Sequence, residues 1–184
     1  MLTYSILVIN MWAKQTNQGF TVVELLIVIV VIAILATITI VAFNGIQQRS
    51  RNTQVVSGVN AYTKAFMEYK AINSAYPPSS GCLGANYPSN NCWMNGTSAD
   101  MSVNTTLDSA LQEFVPTKPT LATSLMSIGI GSLSRGGAGY IPNDPTYGNR
   151  LVYYLAGASQ DCSISGAISV NEGGVVTQCN IRLP

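Results

Sequence analysis

Nineteen consecutive residues, Leu25 to Phe43 (LLIVIVVIAILATITIVAF), carry no charge, no glycine and no proline. Only Thr37 and Thr39 among them are polar. As an α-helix the run measures about 28 Å, one hydrocarbon core. Its Val and Ile content mildly disfavours helix in water. In a bilayer that preference is overridden, because an unpaired backbone group in hydrocarbon costs several kcal/mol. A secretory signal has a shorter apolar core, about 7–15 residues, behind a basic start. Here Lys14 is the only basic residue ahead of Phe20, and Ala36-Thr37-Ile38 makes no small-residue cleavage box. The run predicts a membrane span.

Composition narrows the function classes. The chain has 184 residues, of which 9% are charged, against about 25% in an average soluble domain. It has no histidine, which removes Ser-His and Cys-His catalysis, His-ligated metals and haem. The net charge is +1, without the clustered Lys and Arg that phosphate backbones require, so DNA binding is not indicated. Orientation is set by two opposed signals. Lys14 before the run, with Arg49 and Arg51 after it, favours a C-terminus inside. All four cysteines follow the run, as expected of an oxidising compartment. Three charges make a thin margin, so the cysteines decide for an extracytoplasmic C-terminal part.

Glu24 stands at the head of the run. At mid-bilayer a carboxylate costs about 2.5–3.5 kcal/mol. By spacing alone, Thr21-Val22-Val23-Glu24 fits a helix capping box. The wider segment Gly19-Phe20-Thr21-Val22-Val23-Glu24-Leu25-Leu26-Ile27-Val28 resembles the processing motif of type IV prepilins and of the pseudopilins of type II secretion and DNA uptake. That motif is Gly, Phe, three residues often starting with Thr, then Glu and a long apolar helix. The resemblance covers Gly19 to Thr53.

The resemblance implies a leader at 1–19, cut between Gly19 and Phe20 by a prepilin peptidase that also methylates the new amine of Phe20. Segment 20–44 is then first a membrane anchor and later the core of a helical filament. Glu24 pairs with the N-terminal amine of a neighbouring subunit. The chain departs from the family pattern at Gln18, where Lys or Arg is common, and in its apolar opening MLTYSILVIN. Met11 offers a second start, leaving the short leader MWAKQTNQG.

Residues 45–76 read as an amphipathic continuation of the helix. Val55, Val59, Tyr62, Phe66 and Tyr69 recur at 4-3-4-3 spacing, an apolar seam. Pro77-Pro78 end it, so the helix is expected to run from Phe20 to Ala75. Residues 77–184 form the expected globular domain. It opens as loop to about Ser102, followed by a short helix over Thr106–Val115 and a Gly/Ser-rich surface loop over Ser127–Gly139. Strands are expected at Arg150–Ala156, Ser163–Val170 and Val175–Ile181, the last two joined by the turn Asn171-Glu172-Gly173-Gly174. The fold class is α+β, a long N-terminal helix against a small antiparallel sheet.

Cys82, Cys92, Cys162 and Cys179 allow three pairings. Closure of a coreless loop favours Cys82–Cys92, and clipping of the last hairpin favours Cys162–Cys179. A four-thiolate zinc site lacks its CxxC spacing, and no metal or cofactor is expected. Asp108, Glu113, Asp144, Asp161 and Glu172 are scattered and read as solvated rather than catalytic. Asn143 and Asp144 are too little for a calcium site. Tyr87, Trp93 and Tyr140 are candidates for an exposed binding face.

The expected function is structural: a subunit of a type IV pilus-like surface filament. Its partners are copies of itself or related pilins, the prepilin peptidase, an inner-membrane assembly platform, and the bilayer before assembly. A pseudopilin of a type II secretion or DNA-uptake machine is the alternative within the family. A single-pass anchored ectodomain that never polymerises is the alternative outside it.

Overall fold

The computed structural model describes residues 19–95, 100–122, 124–129 and 132–184, with the backbone alone at 41, 42 and 44. Most of the expected leader, with Met1 and Met11, lies outside the described residues. The chain divides after Phe43 into two compact units.

The first unit is the apolar part of helix α1 (Val22–Asn73). Its described side chains are exposed: Leu26, Ile29, Ile34 and Ile38 are all more than half so. By length and composition α1 is able to cross a membrane. Thr37 and Thr39 do not break it. Their hydroxyls donate back to the carbonyls of Ile34 (2.7 Å) and Leu35 (3.0 Å), which satisfies them inside an apolar environment.

The second unit, Asn44–Pro184, is α+β. Beyond α1 its elements are β1 (Gly81–Leu83), a 3₁₀ turn at Pro88–Asn90, β2 (Asn91–Met94), β3 (Met101–Ser102), α2 (Thr105–Leu111), β4 (Met126–Ser127), β5 (Ser134–Arg135), β6 (Ala138–Asp144), β7 (Gly148–Ala156), β8 (Ile168–Glu172) and β9 (Val176–Arg182). A five-stranded sheet has the order β1-β6-β7-β9-β8, and a four-stranded one the order β3-β2-β5-β4. All the named strand pairs are antiparallel.

The seam expected on α1 is the core of this unit. Val55, Val59, Tyr62 and Phe66 are buried together with Leu151, Tyr153 and Leu155 of β7 and Tyr140 of β6. The Phe66 and Tyr140 rings stand 4.4 Å apart. Tyr62 keeps a polar handle inside: its hydroxyl accepts from the Gly84 amide at 2.9 Å. Burial still pushes its pKa up to about 12, against the lowering effect of that bond. Gly58 sits on the same face, where a Cβ would stand 2.2 Å from Leu121, so the helix approaches segment 119–121 only because a side chain is absent. The other face of β7 is buried too. Val152 and Tyr154 pack with Val176, Ile128, Trp93 and Met126. Cover on both faces explains why β7 reads as an unbroken apolar run.

Several boundaries differ from expectation. The helix stops at Asn73, because Ser74 takes a left-handed φ of 61° and caps it with a bond to Lys70 O, before the prolines are reached. Helix α2 ends at Leu111 rather than Val115. Strand β8 begins only at Ile168. The residues before it are held off the sheet: Asp161 Oδ1 accepts from the Ser163 amide, and Ser163 and Gly166 have positive φ. The expected loop at 77–102 holds three short strands, and the expected surface loop at Ser127–Gly139 holds β5 with a buried Arg135.

Disulfides join Cys82 to Cys92 and Cys162 to Cys179. Because Cys162 precedes β8, the second bridge ties the approach to the hairpin onto β9, rather than strand to strand.

Candidate functional site

Gly19 and Phe20 precede the first helical residue, Val22, in backbone without regular structure. Gly19 has open space around its Cα, and Phe20 is 83% exposed. The Gly19–Phe20 peptide is therefore accessible and carries no helix hydrogen bonds of its own. Thr21 is the N-cap. Its amide and hydroxyl both donate to Glu24 Oε2, at 2.8 and 2.7 Å, and its hydroxyl accepts from the Glu24 amide at 3.2 Å. This is the reciprocal capping box that the spacing suggested.

The box leaves Glu24 half used. Both bonds fall on Oε2, and among the described residues none falls on Oε1. The groups that bond Glu24 belong to Thr21, one residue past the Gly19–Phe20 peptide, so hydrolysis there would leave the cap intact. Capping and pairing with an outside cation are thus compatible uses of one carboxylate. No cation of this chain lies within ion-pair distance of Glu24 among the described residues.

The other candidates do not gather into a site. Asp108 pairs with Lys118 at 2.8 Å, Asp144 with Arg150 at 3.1 Å and Glu172 with Arg135 at 3.1 Å. Asp161 accepts from the Ser163 amide. Asp144 also takes the amides of Thr146 and Tyr147, both at 2.9 Å, so its oxygens are committed to a turn and to Arg150. Among the described residues no three carboxylates or thiols converge as metal ligands do. The expected exposed aromatic face is absent. Tyr87 and Tyr140 are buried at 6% and 0% exposure, their hydroxyls tied to backbone carbonyls of Leu83 and Pro77. Trp93 is half-buried, with Arg135 stacked over its ring at 4.5 Å.

Two arrangements escaped sequence reasoning. One is a clamp from α1 to the end of β7. Asn52 Nδ2 donates to Ala156 O at 3.0 Å, Asn52 Oδ1 accepts from the Ala156 amide at 2.9 Å, and Gln48 Nε2 donates to the same carbonyl at 2.7 Å. Two amides at i and i+4 on the helix face leading into the seam were the available signal. The other is Arg135, 5% exposed, which also donates to Met94 O and Asn95 Oδ1. A single arginine in a Gly/Ser-rich stretch gave no signal.

Comparison with known proteins finds a family motif at the N-terminus and several partial relatives. Residues 14–40 match the model of the prokaryotic N-terminal methylation motif. A type II secretion system core protein G of Klebsiella michiganensis is 36% identical over 64 residues, 35% of this chain and 45% of that protein. The core protein G of Dickeya chrysanthemi is 31% identical over 72 residues, 39% and 47%. Fimbrial protein EcpC of Eikenella corrodens is 32% identical over 71 residues, 39% and 46%. The matches thus span about half the length of these relatives. No solved structure matches. The chain thus carries the N-terminal methylation motif and is similar, over about a third of its length, to secretion-system and fimbrial subunits, which supports a place among the type IV pilin and pseudopilin proteins.

Proposed function

We propose that this chain is a pseudopilin, a structural subunit that a type II secretion or DNA-uptake machine draws from the membrane into a short filament. The observation that carries the subunit reading is the accessible Gly19–Phe20 peptide followed by a 19-residue apolar run whose described side chains are all exposed. Such a surface is stable only in lipid or against other apolar helices. The secretion-system relatives favour the pseudopilin over the surface pilus. The fimbrial relative supports the pilus as a second reading.

In this reading the precursor sits in the membrane by residues 25–43, with the disulfide-bonded unit outside. A prepilin peptidase hydrolyses the Gly19–Phe20 bond, the leader departs, and the amine of Phe20 is methylated and stays cationic. Entry into a filament places Glu24 in apolar surroundings, where a lone carboxylate is costly. The methylated amine of an adjacent copy meets Oε1 while Oε2 keeps the cap. A subunit set at the wrong height leaves both charges unpaired, so the pair sets the register. No step of this function needs a catalytic group on the chain itself.

Sequencing the N-terminus of the membrane-extracted mature chain tests the reading, and methyl-Phe20 is expected. A chain that still begins with its leader would leave a plain anchored ectodomain. Glu24→Gln keeps the capping geometry but removes the charge. It is expected to be cleaved and methylated normally yet to fall at least tenfold in the sheared filament fraction. Assembly at the wild-type level would end the charge-pairing account.

A further inference from the structure

Arg49 and Arg51 follow the apolar run by six and eight residues. Both are exposed, and among the described residues neither has a carboxylate within ion-pair distance. They also work against the orientation that the two disulfides require, since cations next to a span favour the cytoplasmic side. A cost borne at this place calls for an offsetting partner, and among the described residues there is none.

Depth identifies the partner. In sequence, Arg49 and Arg51 come just after the apolar run ends, where a span leaves hydrocarbon. The polar headgroup layer begins where hydrocarbon ends and is roughly 5–8 Å thick. Long basic side chains reach back toward such a layer while their stems stay on apolar surface. Arg51 has that surface: it lines a cavity of about 130 Å³ walled by Val55, Leu121, Ala122 and Met126, with Ser124 at the same opening. Two positions apart on the helix, Arg49 and Arg51 face different sides, so each offers its own guanidinium fork to a separate phosphate.

We propose that Arg49 and Arg51 bind the phosphate groups of anionic phospholipids in the outer leaflet. The site holds the precursor at a fixed depth until it is extracted. It rests on the extracytoplasmic orientation of the proposed function. Each arginine near an anionic surface contributes about fivefold in affinity, so the pair gives about 25-fold, enough to set depth and weak enough to release.

The test uses the full chain in nanodiscs of equimolar phosphatidylglycerol and phosphatidylcholine, with native mass spectrometry of the lipids it retains. Wild type is expected to retain phosphatidylglycerol several-fold above the input ratio. Arg49→Gln/Arg51→Gln is expected to fall to that ratio, and Lys64→Gln, an exposed cation further along α1, to behave as wild type. Both variants are checked for intact disulfides and native circular dichroism. An unchanged ratio in the double variant, or an equal fall in Lys64→Gln, overturns the proposal. So does an Arg49/Arg51-dependent shift of amide resonances by millimolar inorganic phosphate in purely phosphatidylcholine nanodiscs, which would assign the site to a soluble anion. The measurement involves neither cleavage nor assembly, so its failure leaves the pseudopilin reading standing, and failure of N-terminal sequencing leaves the lipid site standing.

Discussion

Ile29 and Phe66 belong to one helix, α1, yet they live under opposite rules. Ile29 is 57% exposed and touches no core, whereas Phe66 is fully buried between the helix and the sheet. Among its described residues the first unit has an apolar surface and no buried side chain, an arrangement that lipid or other apolar helices stabilise. The second unit, besides its buried tyrosines, leucines and valines, carries both disulfides. One element thus presents an exposed apolar surface over one stretch and an intramolecular core over the next.

Truncating one apolar side chain in each region breaks the comparison most directly. Phe66→Ala is expected to destabilise the second unit by about 4 kcal/mol, the usual cost of removing a buried aromatic ring. Ile29→Ala is expected to leave its unfolding within about 0.5 kcal/mol of wild type. Denaturant melts of the full chain in micelles, followed by near-ultraviolet circular dichroism, read both. A matching loss in Ile29→Ala would mean that the apolar stretch supports the second unit after all.

The disulfides come next. Cys162→Ser/Cys179→Ser opens a bridge with a sequence separation of 17, and loops of that size are associated with about 3 kcal/mol. The expected result is a lower melting point and faster proteolysis of residues 157–184, with the apolar helix still retained in membranes. Equal loss of membrane retention would show that the two regions do not hold independently.

Arg135→Met probes the polar inclusion in the second core. It leaves Glu172, itself largely covered, without its cation. The expected cost is about 2 kcal/mol, below the range for fully buried pairs because Glu172 keeps some solvent contact. Arg135→Met/Glu172→Gln should recover about half. Absence of any recovery would show that Arg135 acts through Trp93 and the Met94 carbonyl rather than through Glu172.

The same contrast explains what could be read in advance. The apolar run, the Thr21–Glu24 box, the 4-3-4-3 seam, β7 and the β8–β9 turn are local patterns, each decided by residues close together in sequence. The sheet β3-β2-β5-β4 is built from strands of two to four residues, and Trp93 pairs with Arg135 across a long stretch of chain. No alternation can develop in so few residues, and the Asn, Gly and Ser around them are the composition of a loop. Arg135 was hidden for the same reason: its burial depends on Trp93, Met94 and Glu172, none near it in sequence. The N-terminal methylation motif was legible because it is contiguous.

The smallest expected effect is a pH dependence confined to the second unit. Burial works to raise the Asp144 pKa, but the amides of Tyr147 and Thr146 and the guanidinium of Arg150 outweigh it and hold the carboxyl below its ordinary value of 3.8. A carboxyl with a lower pKa folded than unfolded adds stability that is fully present above 3.8. That contribution is lost as pH falls through the folded value. With no histidine in the chain, stability should be flat from about pH 5 to 8 and decline only in acid. Asp144→Asn keeps the turn bonds and removes the charge, so its melting temperature should sit slightly below wild type at neutral pH and converge on it in acid. Wild-type and variant curves that run parallel down to pH 2 would remove Asp144 from the account.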